Sequence, residues 1–348
     1  MVQLTIALDA MGGDDAPSMV VGGVILAAER LLDTKFLLFG DKAKLEPLLA
    51  RHGGESGGRI EIRHTDQRVP GDEKPSKALR KGRASSMGLA IEAVKQGEAV
   101  GAVSAGNTGA LMALAKFALR MLPGIDRPAI CTVLPTMRGQ SVVLDLGANV
   151  ECDAETLVQF AIMGEAFART MLGIARPSVA LMNVGSEEVK GHDIVREAAQ
   201  RLRDTALPID FKGFVEGDGI GKGDVDVIVT DGFTGNVALK TVEGTAKLIG
   251  HHLRSSFEKS IWTKLSYLVA RPAIEAARDH FDPRRYNGAM CVGLNGIVIK
   301  SHGGTDAFGF ANAIGVAHQL AVANIDERIT EDLRNFSAAA IGAAATGG

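Results

Sequence analysis

Short apolar runs rich in β-branched residues alternate along the chain with longer stretches in which apolar positions recur every three or four residues. Residues 4–8, 35–39, 60–64, 99–103, 130–134, 141–145, 179–183, 211–215, 227–229, 289–294 and 296–300 read as strands. Residues 18–32, 44–52, 85–96, 111–122, 156–172 and 187–203 read as helices. This rhythm predicts an α/β fold, a mainly parallel doubly wound sheet with helices on both faces. One large α/β unit is expected over residues 1–337, as a single body or two intertwined lobes, with a small-residue tail at 338–348 that frays.

The pattern is tightest over 226–249. The run Val227-Ile228-Val229 meets the turn signals Asp231, Gly232, Thr234 and Gly235, and Asn236 stands where a helix N-cap belongs. Such a joint aims backbone N–H groups and the positive end of a helix at a ligand above the sheet, which suits a phosphate or a developing oxyanion.

A second joint of this kind is Ser104, Gly106, Asn107, Thr108 and Gly109, where small polar groups could hold an anion. Asp9 ends the first strand ahead of Gly12, Gly13 and Asp14, and Asp145 ends another. If all these strands run parallel, Asp9, Ser104 and Asp145 share the carboxyl-terminal edge, where open α/β sheets bind ligands. Lys190, in a glycine-flanked turn, is a candidate phosphate ligand as a compact three-donor cation. Lys300, Ser301 and His302 precede paired glycines in a fourth such turn.

Two stretches fall outside this rhythm. Residues 66–83 are dense in charge and read as a solvated loop, or as a basic lid carrying Lys74, Lys77, Arg80, Lys81 and Arg83 toward an anionic substrate or acidic carrier. Residues 251–271 place Leu253, Phe257, Ile261, Leu265 and Leu268 in one helical stripe beside an excess of Lys and Arg. That helix suits either an anionic membrane surface or a second subunit.

Composition narrows the chemistry. At 348 residues and 46% hydrophobic the chain buries a large core, and 42 glycines with only 5% aromatics favour backbone-lined pockets over base-stacking surfaces. A net charge of −3 gives no general attraction for nucleic acid. Cys131, Cys152 and Cys291 lie far apart without metal or redox spacing, and no metal or cofactor is expected. The amino terminus enters a strand with no basic region or apolar signal core, and a cytoplasmic, partly membrane-associated protein is expected. The glycines at 217, 219 and 221 match neither a dinucleotide fingerprint nor a phosphate-binding P-loop.

Taken in order, DAMGGDDAP, SAGNTGA, LDLGANVECD, VGSEEVKG, FVEGDGI, DGFTGNVALK and KSHGGTD resemble the phosphate acyltransferase of bacterial phospholipid synthesis, the PlsX family. The resemblance spans nearly the whole chain. It implies transfer of a long-chain acyl group from acyl carrier protein to inorganic phosphate, an isocitrate/isopropylmalate dehydrogenase-like fold, and a homodimer. It also implies peripheral membrane contact and supply of acyl phosphate to a membrane glycerol-phosphate acyltransferase.

A thioester is already activated, so phosphate can attack without a protein nucleophile, and the protein must position two anions and stabilise an oxyanion. On that chemistry Ser104, Asn107, Thr108 and Lys190 are expected to hold phosphate. Asn236 and the turn 231–235 would hold the thioester oxygen or carrier arm, and His302 would protonate the departing thiolate. Asp9, Gly12, Gly13 and Asp14 would form the pocket floor. Alternatives are an acyl-CoA phosphotransacetylase, a decarboxylating dehydrogenase, for which an arginine cluster and metal-binding aspartates are missing, and a non-catalytic membrane scaffold.

Overall fold

The computed structural model describes residues 3–52, 58–204, 209–280 and 282–346. The first half alternates as the pattern requires: β1 (Leu4–Asp9), α1 (Ser18–Arg30), β2 (Thr34–Gly40), α2 (Lys42–Arg51), β3 (Ile60–His64), α3 (Pro75–Lys81), α4 (Ser86–Lys95), β4 (Gly101–Ser104) and α5 (Thr108–Leu119). The centre adds β5 (Ala129–Thr136), β6 (Gly139–Leu144), α6 (Ala154–Leu172), β7 (Ser178–Met182), α7 (Asp193–Asp204), β8 (Asp210–Val215), α8 (Gly219–Lys222) and β9 (Val227–Val229). Then follow α9 (Gly232–Glu258), α10 (Ile261–His280), β10 (Ala289–Val292), β11 (Ile297–Lys300), α11 (Ala307–Val322) and α12 (Ile325–Thr346).

Several boundaries correct the sequence reading. Residues 66–83 contain α3, with Pro75 at the first helical position, where its missing N–H costs nothing. The helix expected from Glu187 begins at Asp193, because Gly185 and Gly191 break the stretch before it. The stripe at 251–271 is not one helix but the facing ends of α9 and α10, broken at Lys259 and Ser260, whose hydroxyl accepts from Thr263 N at 3.1 Å. Finally, α12 continues through the expected tail to Thr346.

The eleven strands form one sheet in the order β3-β2-β1-β4-β11-β10-β5-β6-β9-β7-β8. Seven pairings are parallel, and three, β11–β10, β10–β5 and β5–β6, are antiparallel. Those three reverse the sheet in its middle, so β1, β4 and β11 end at one edge while β6, β9 and β7 end at the opposite edge. The expectation that Asp9, Ser104 and Asp145 share an edge therefore fails, because no pattern along the chain reports the direction in which a strand is inserted.

Two layers cover the sheet. One contains α1, α6, α11 and α12 around the largest core, with Phe36, Phe160, Phe167 and Phe310 fully buried. On the other, Leu111, Leu114, Cys291 and Val298 pack together under α5, and Ile130, Val143, Ile228 and Leu239 pack under the start of α9. Side chains alternate along a strand, so Lys300 follows Val298 onto the α5 side while Ile299 enters the other core.

Candidate active site

Asp9 lies at the end of β1, fully buried. Its Oδ2 accepts from Ser104 Oγ at 2.6 Å and its Oδ1 from Met11 N at 3.2 Å, while Ser104 Oγ also accepts from Gly106 N at 3.0 Å. Burial pushes the Asp9 carboxyl above its ordinary range, opposed by the Ser104 hydrogen bond. The two turns meet without room for a side chain: a Cβ on Gly12 would lie 2.4 Å from Asp9 Oδ2 and 2.8 Å from Gly106 N. Gly13, at φ +116°, occupies the left-handed region that glycine tolerates. Asp9, Gly12, Ser104 and Gly106 thus pack together where the two turns meet, and Ser104 spends its hydroxyl on Asp9 and Gly106 N.

Asn107 is the N-cap of α5, accepting from Ala110 N at 2.8 Å. Its amide donates to Gly71 O at 2.6 Å, which fastens the 66–83 segment over the joint. Asn107 is therefore a structural tie rather than a phosphate ligand. Thr108 opens α5 and stays half-buried beside it.

Lys300 ends β11 at this same edge. Its ammonium donates to Ala105 O at 3.4 Å and to Ser301 O, and among the described residues it forms no ion pair. Dense surroundings lower it to about 8, partly offset by Cys291, Asp14 and Asp9, with Lys240 pushing the same way as burial. Asp14 stands over the following turn, its N–H donating to Gly303 O at 2.9 Å. Asn287 braces that turn by donating to Ser301 Oγ at 2.8 Å and accepting from His302 N at 2.9 Å.

His302 departs from its expected role. Its Nδ1 accepts from Gly304 N at 3.1 Å, so in the neutral ring the proton resides on Nε2. Packing lowers the imidazole below its ordinary value; Lys240, Lys300 and Lys247 push the same way against Glu243. A neutral Nε2–H near pH 7 can donate a hydrogen bond to an oxyanion, but it holds no ready proton for a thiolate.

The other strand-end cluster is of a different kind. Asp145 Oδ1 accepts from Ile130 N, Gly147 N and Ala148 N at 2.9, 3.1 and 3.0 Å. Its Oδ2 accepts from Asn149 N and Asn149 Nδ2 at 2.7 and 2.9 Å. With no lone-pair direction left for a ligand, Asp145 ties a turn together instead of binding substrate. Against this turn the first residues of α9 pack backbone to backbone: a Cβ on Gly235 would fall 1.9 Å from Asp145 O, and one on Gly232 2.6 Å from Asn149 O.

The start of α9 is closed. Asp231, not Asn236, is the N-cap and accepts from Thr234 N at 2.9 Å and Thr234 Oγ1 at 2.7 Å, while Gly232 N donates to Asn149 O at 2.7 Å. The N–H groups of Gly232, Thr234 and Gly235, expected to meet an oxyanion, are thus taken. Asn236 is exposed in the next turn.

What α9 does instead is cross the face. Eight residues after Gly232, about 12 Å along the axis at 1.5 Å per residue, Lys240 acts on both Lys300 and His302. Lys240 is ion-paired with Glu243 at 2.8 Å. Lys240, Glu243 and Asn287 were not among the sequence candidates. Their only signal was that Lys240 closes the DGFTGNVALK run, two helical turns past the cap.

Lys190 lies elsewhere. It is exposed, ion-paired with Glu187 at 2.8 Å, and follows β7, six strand positions from β4 and at the opposite edge. At about 4.8 Å per strand that is close to 30 Å from Ser104. Within one chain these residues do not form a common phosphate site.

The cysteines offer no nucleophile. Burial pushes the Cys152 and Cys291 thiols up to about 12, and Cys131 rises well above its ordinary value. Among the described residues no group of His, Cys, Asp and Glu has the arrangement of a metal site.

Comparison with known proteins gives concordant results. Residues 4–328 match the family described as fatty acid synthesis protein. The chain is 61% identical over 330 residues to a phosphate acyltransferase of Rhodospirillum rubrum, covering 95% of this chain and 94% of that one. It is 57% identical over 338 residues to a phosphate acyltransferase of Paramagnetospirillum magneticum, covering 97% and 96%. Among solved structures, a phosphotransacetylase from Streptococcus pyogenes superposes with a TM-score of 0.60 at 17% identity, over 92% of this chain and 94% of that one. At that identity the likeness speaks for the fold.

Proposed function

Because this chain belongs to the fatty acid synthesis protein family and is a phosphate acyltransferase, we propose that it transfers a long-chain acyl group from acyl carrier protein to inorganic phosphate, making acyl phosphate for phospholipid synthesis. The observation that carries the reading is the unpaired Lys300 ammonium between the glycine turns of Asp9–Asp14 and Ser104–Gly106, with Lys240 and the His302 Nε2–H across from it. Two cations and an oriented donor in a partly desolvated cradle suit a phosphate dianion beside a polarised carbonyl. The raised thiols favour direct attack by phosphate over an acyl-enzyme.

The test is formation of acyl hydroxamate after hydroxylamine trapping, with palmitoyl-acyl carrier protein or palmitoyl-CoA as donor and with phosphate present or omitted. Phosphate-dependent product from the carrier donor is expected. Product from acyl-CoA alone would remove the carrier from the reading, and no product from either donor would overturn it.

The α9–α10 hairpin supports peripheral contact with an anionic membrane. Ile261, Trp262, Leu268 and Val269 are 66, 75, 62 and 85% exposed, beside Lys259 and Lys264. Among the described residues no helix is long and apolar enough to cross a membrane. The same apolar stripe also fits a second copy in a homodimer. Co-sedimentation with vesicles containing phosphatidylglycerol, alongside sedimentation equilibrium without lipid, separates the two.

A further inference from the structure

Acyl transfer from a thioester needs a proton for the departing sulfur, and the site's imidazole is badly placed to give one. Its Nδ1 is occupied by Gly304 N–H, so releasing the Nε2 proton would leave an anionic ring. Lys300 stands two residues earlier, at the end of β11, and among the described residues its ammonium donates only to two backbone carbonyls. Elsewhere the lysines that approach a carboxylate pair with it, as Lys77, Lys190, Lys222 and Lys240 do. Among the described residues Lys300 has no such partner, although Asp9 and Asp14 lie in the same turn region.

Its place is fixed from below. Ser301 N donates to Ser104 O at 2.8 Å, Ser301 Oγ accepts from Asn287 Nδ2, and Asn287 also donates to Gly309 O at 2.7 Å. This network holds the end of β11 against the Asp9–Ser104 floor and turns the amine toward the α5 side. A partly buried cation without a counter-charge is unfavourable, and such sites persist where the group is used.

We propose that Lys300 is the catalytic residue that protonates the departing thiolate, an inference that rests on the acyl-transfer reading above. A phosphate oxygen forms the C–O bond to the thioester carbonyl carbon, and the carbonyl electron pair moves onto oxygen, facing the His302 Nε2–H. On collapse that pair re-forms the carbonyl, the C–S bond breaks, and its electrons go to sulfur, which takes a proton from Lys300 Nζ. The neutral amine then takes the proton left on the phosphoryl hydroxyl. The products are acyl phosphate and free thiol, and the ammonium is restored.

The amine's setting agrees with this use. Asp9 and Asp14 from the first turn, Cys291 from β10 and Lys240 from α9 act on it, and burial, the largest cause, together with these brings it to about 8. That lies near the value of roughly 8.5 for an ordinary thiol, where proton donation is most effective.

The experiment compares the wild-type chain with Lys300→Met and Lys300→Arg at saturating phosphate, using two acyl donors of the same chain length. One is an alkyl thioester and the other an aryl thioester, whose thiolate leaves without needing a proton. With the alkyl donor, Lys300→Met is expected to lose about 100- to 1,000-fold in kcat. With the aryl donor the loss should shrink to within about 10-fold. Lys300→Arg, charged but unwilling to release its proton, should resemble Lys300→Met on the alkyl donor.

Equal losses on both donors, or a change confined to the KM for phosphate, would overturn the proposal and leave Lys300 as a phosphate ligand. Should the variants fail to fold, the wild-type pH profile decides. A fall in kcat on the alkaline side near pH 8 with the alkyl donor and not with the aryl donor supports the role, and identical profiles overturn it. A wild-type chain that forms no phosphate-dependent product from any donor overturns the acyl-transfer reading itself.

Discussion

Asp9 and Asp145 occupy the same kind of position, each buried at the end of a strand and followed by a glycine turn, yet they serve opposite purposes. Asp145 accepts hydrogen bonds from Ile130, Gly147, Ala148 and twice from Asn149, and α9 packs directly on its turn. Asp9 accepts fewer, is raised by burial, and shares its surroundings with an unpaired ammonium. A carboxylate saturated by its own turn stabilises that turn; one raised by burial beside a lysine that bonds only backbone carbonyls marks a place kept for chemistry.

The sharpest way to break that contrast is Asp145→Ala, which strands several buried N–H groups. It should cost about 4 kcal/mol or more in stability, read by urea denaturation. A stable but inactive Asp145→Ala would show that this turn, too, belongs to the chemistry.

Lys300→Met should act in the opposite direction on stability. The folded Lys300 value lies below its unfolded one, so its charged form is disfavoured on folding. That cost is fully present below pH 8 and disappears as pH rises toward the unfolded value of about 10.4. The variant should therefore be more stable at pH 7 by up to about 3 kcal/mol, with the gain shrinking to nothing by about pH 11. A variant less stable at pH 7 would mark Lys300 as a structural residue.

Ser104→Ala removes a donor to Asp9 and an acceptor for Gly106 N. A loss of about 1–2 kcal/mol is expected, and the turn that carries Lys300's neighbour Ala105 should loosen, lowering kcat more than it raises KM.

Smaller still is the effect on folding of changing the exposed hairpin. Trp262→Glu with Val269→Glu should leave stability within about 0.5 kcal/mol and abolish vesicle co-sedimentation. Persisting vesicle binding would remove the hairpin as the membrane contact. Lys190→Ala, exposed and far from Ser104, should change stability by less than about 0.5 kcal/mol and leave phosphate kinetics of the isolated chain unchanged. A raised KM for phosphate would restore Lys190 to the site.

Much was determined by the sequence alone. The alternation of short β-branched runs with periodic helices dictates an α/β sheet because each element's period decides which face it can bury. The glycine turns marked both clusters, since only glycine admits the close backbone approaches at Gly12 and Gly235. Asp231 and Asn107 were legible as polar turn residues, although their use as caps takes away the N–H groups they seemed to offer. Only the tertiary structure decided the rest. The reversal at β10 and β5 sends Asp9 and Asp145 to opposite edges, and the long α9 then brings Lys240 to Lys300 across a large separation in sequence. Strand direction and long-range pairing are set by where the whole hydrophobic core closes. Local periodicity carries no record of that, so it could name Lys300 and Lys190 alike but could not say which of them loses its water and its counter-charge.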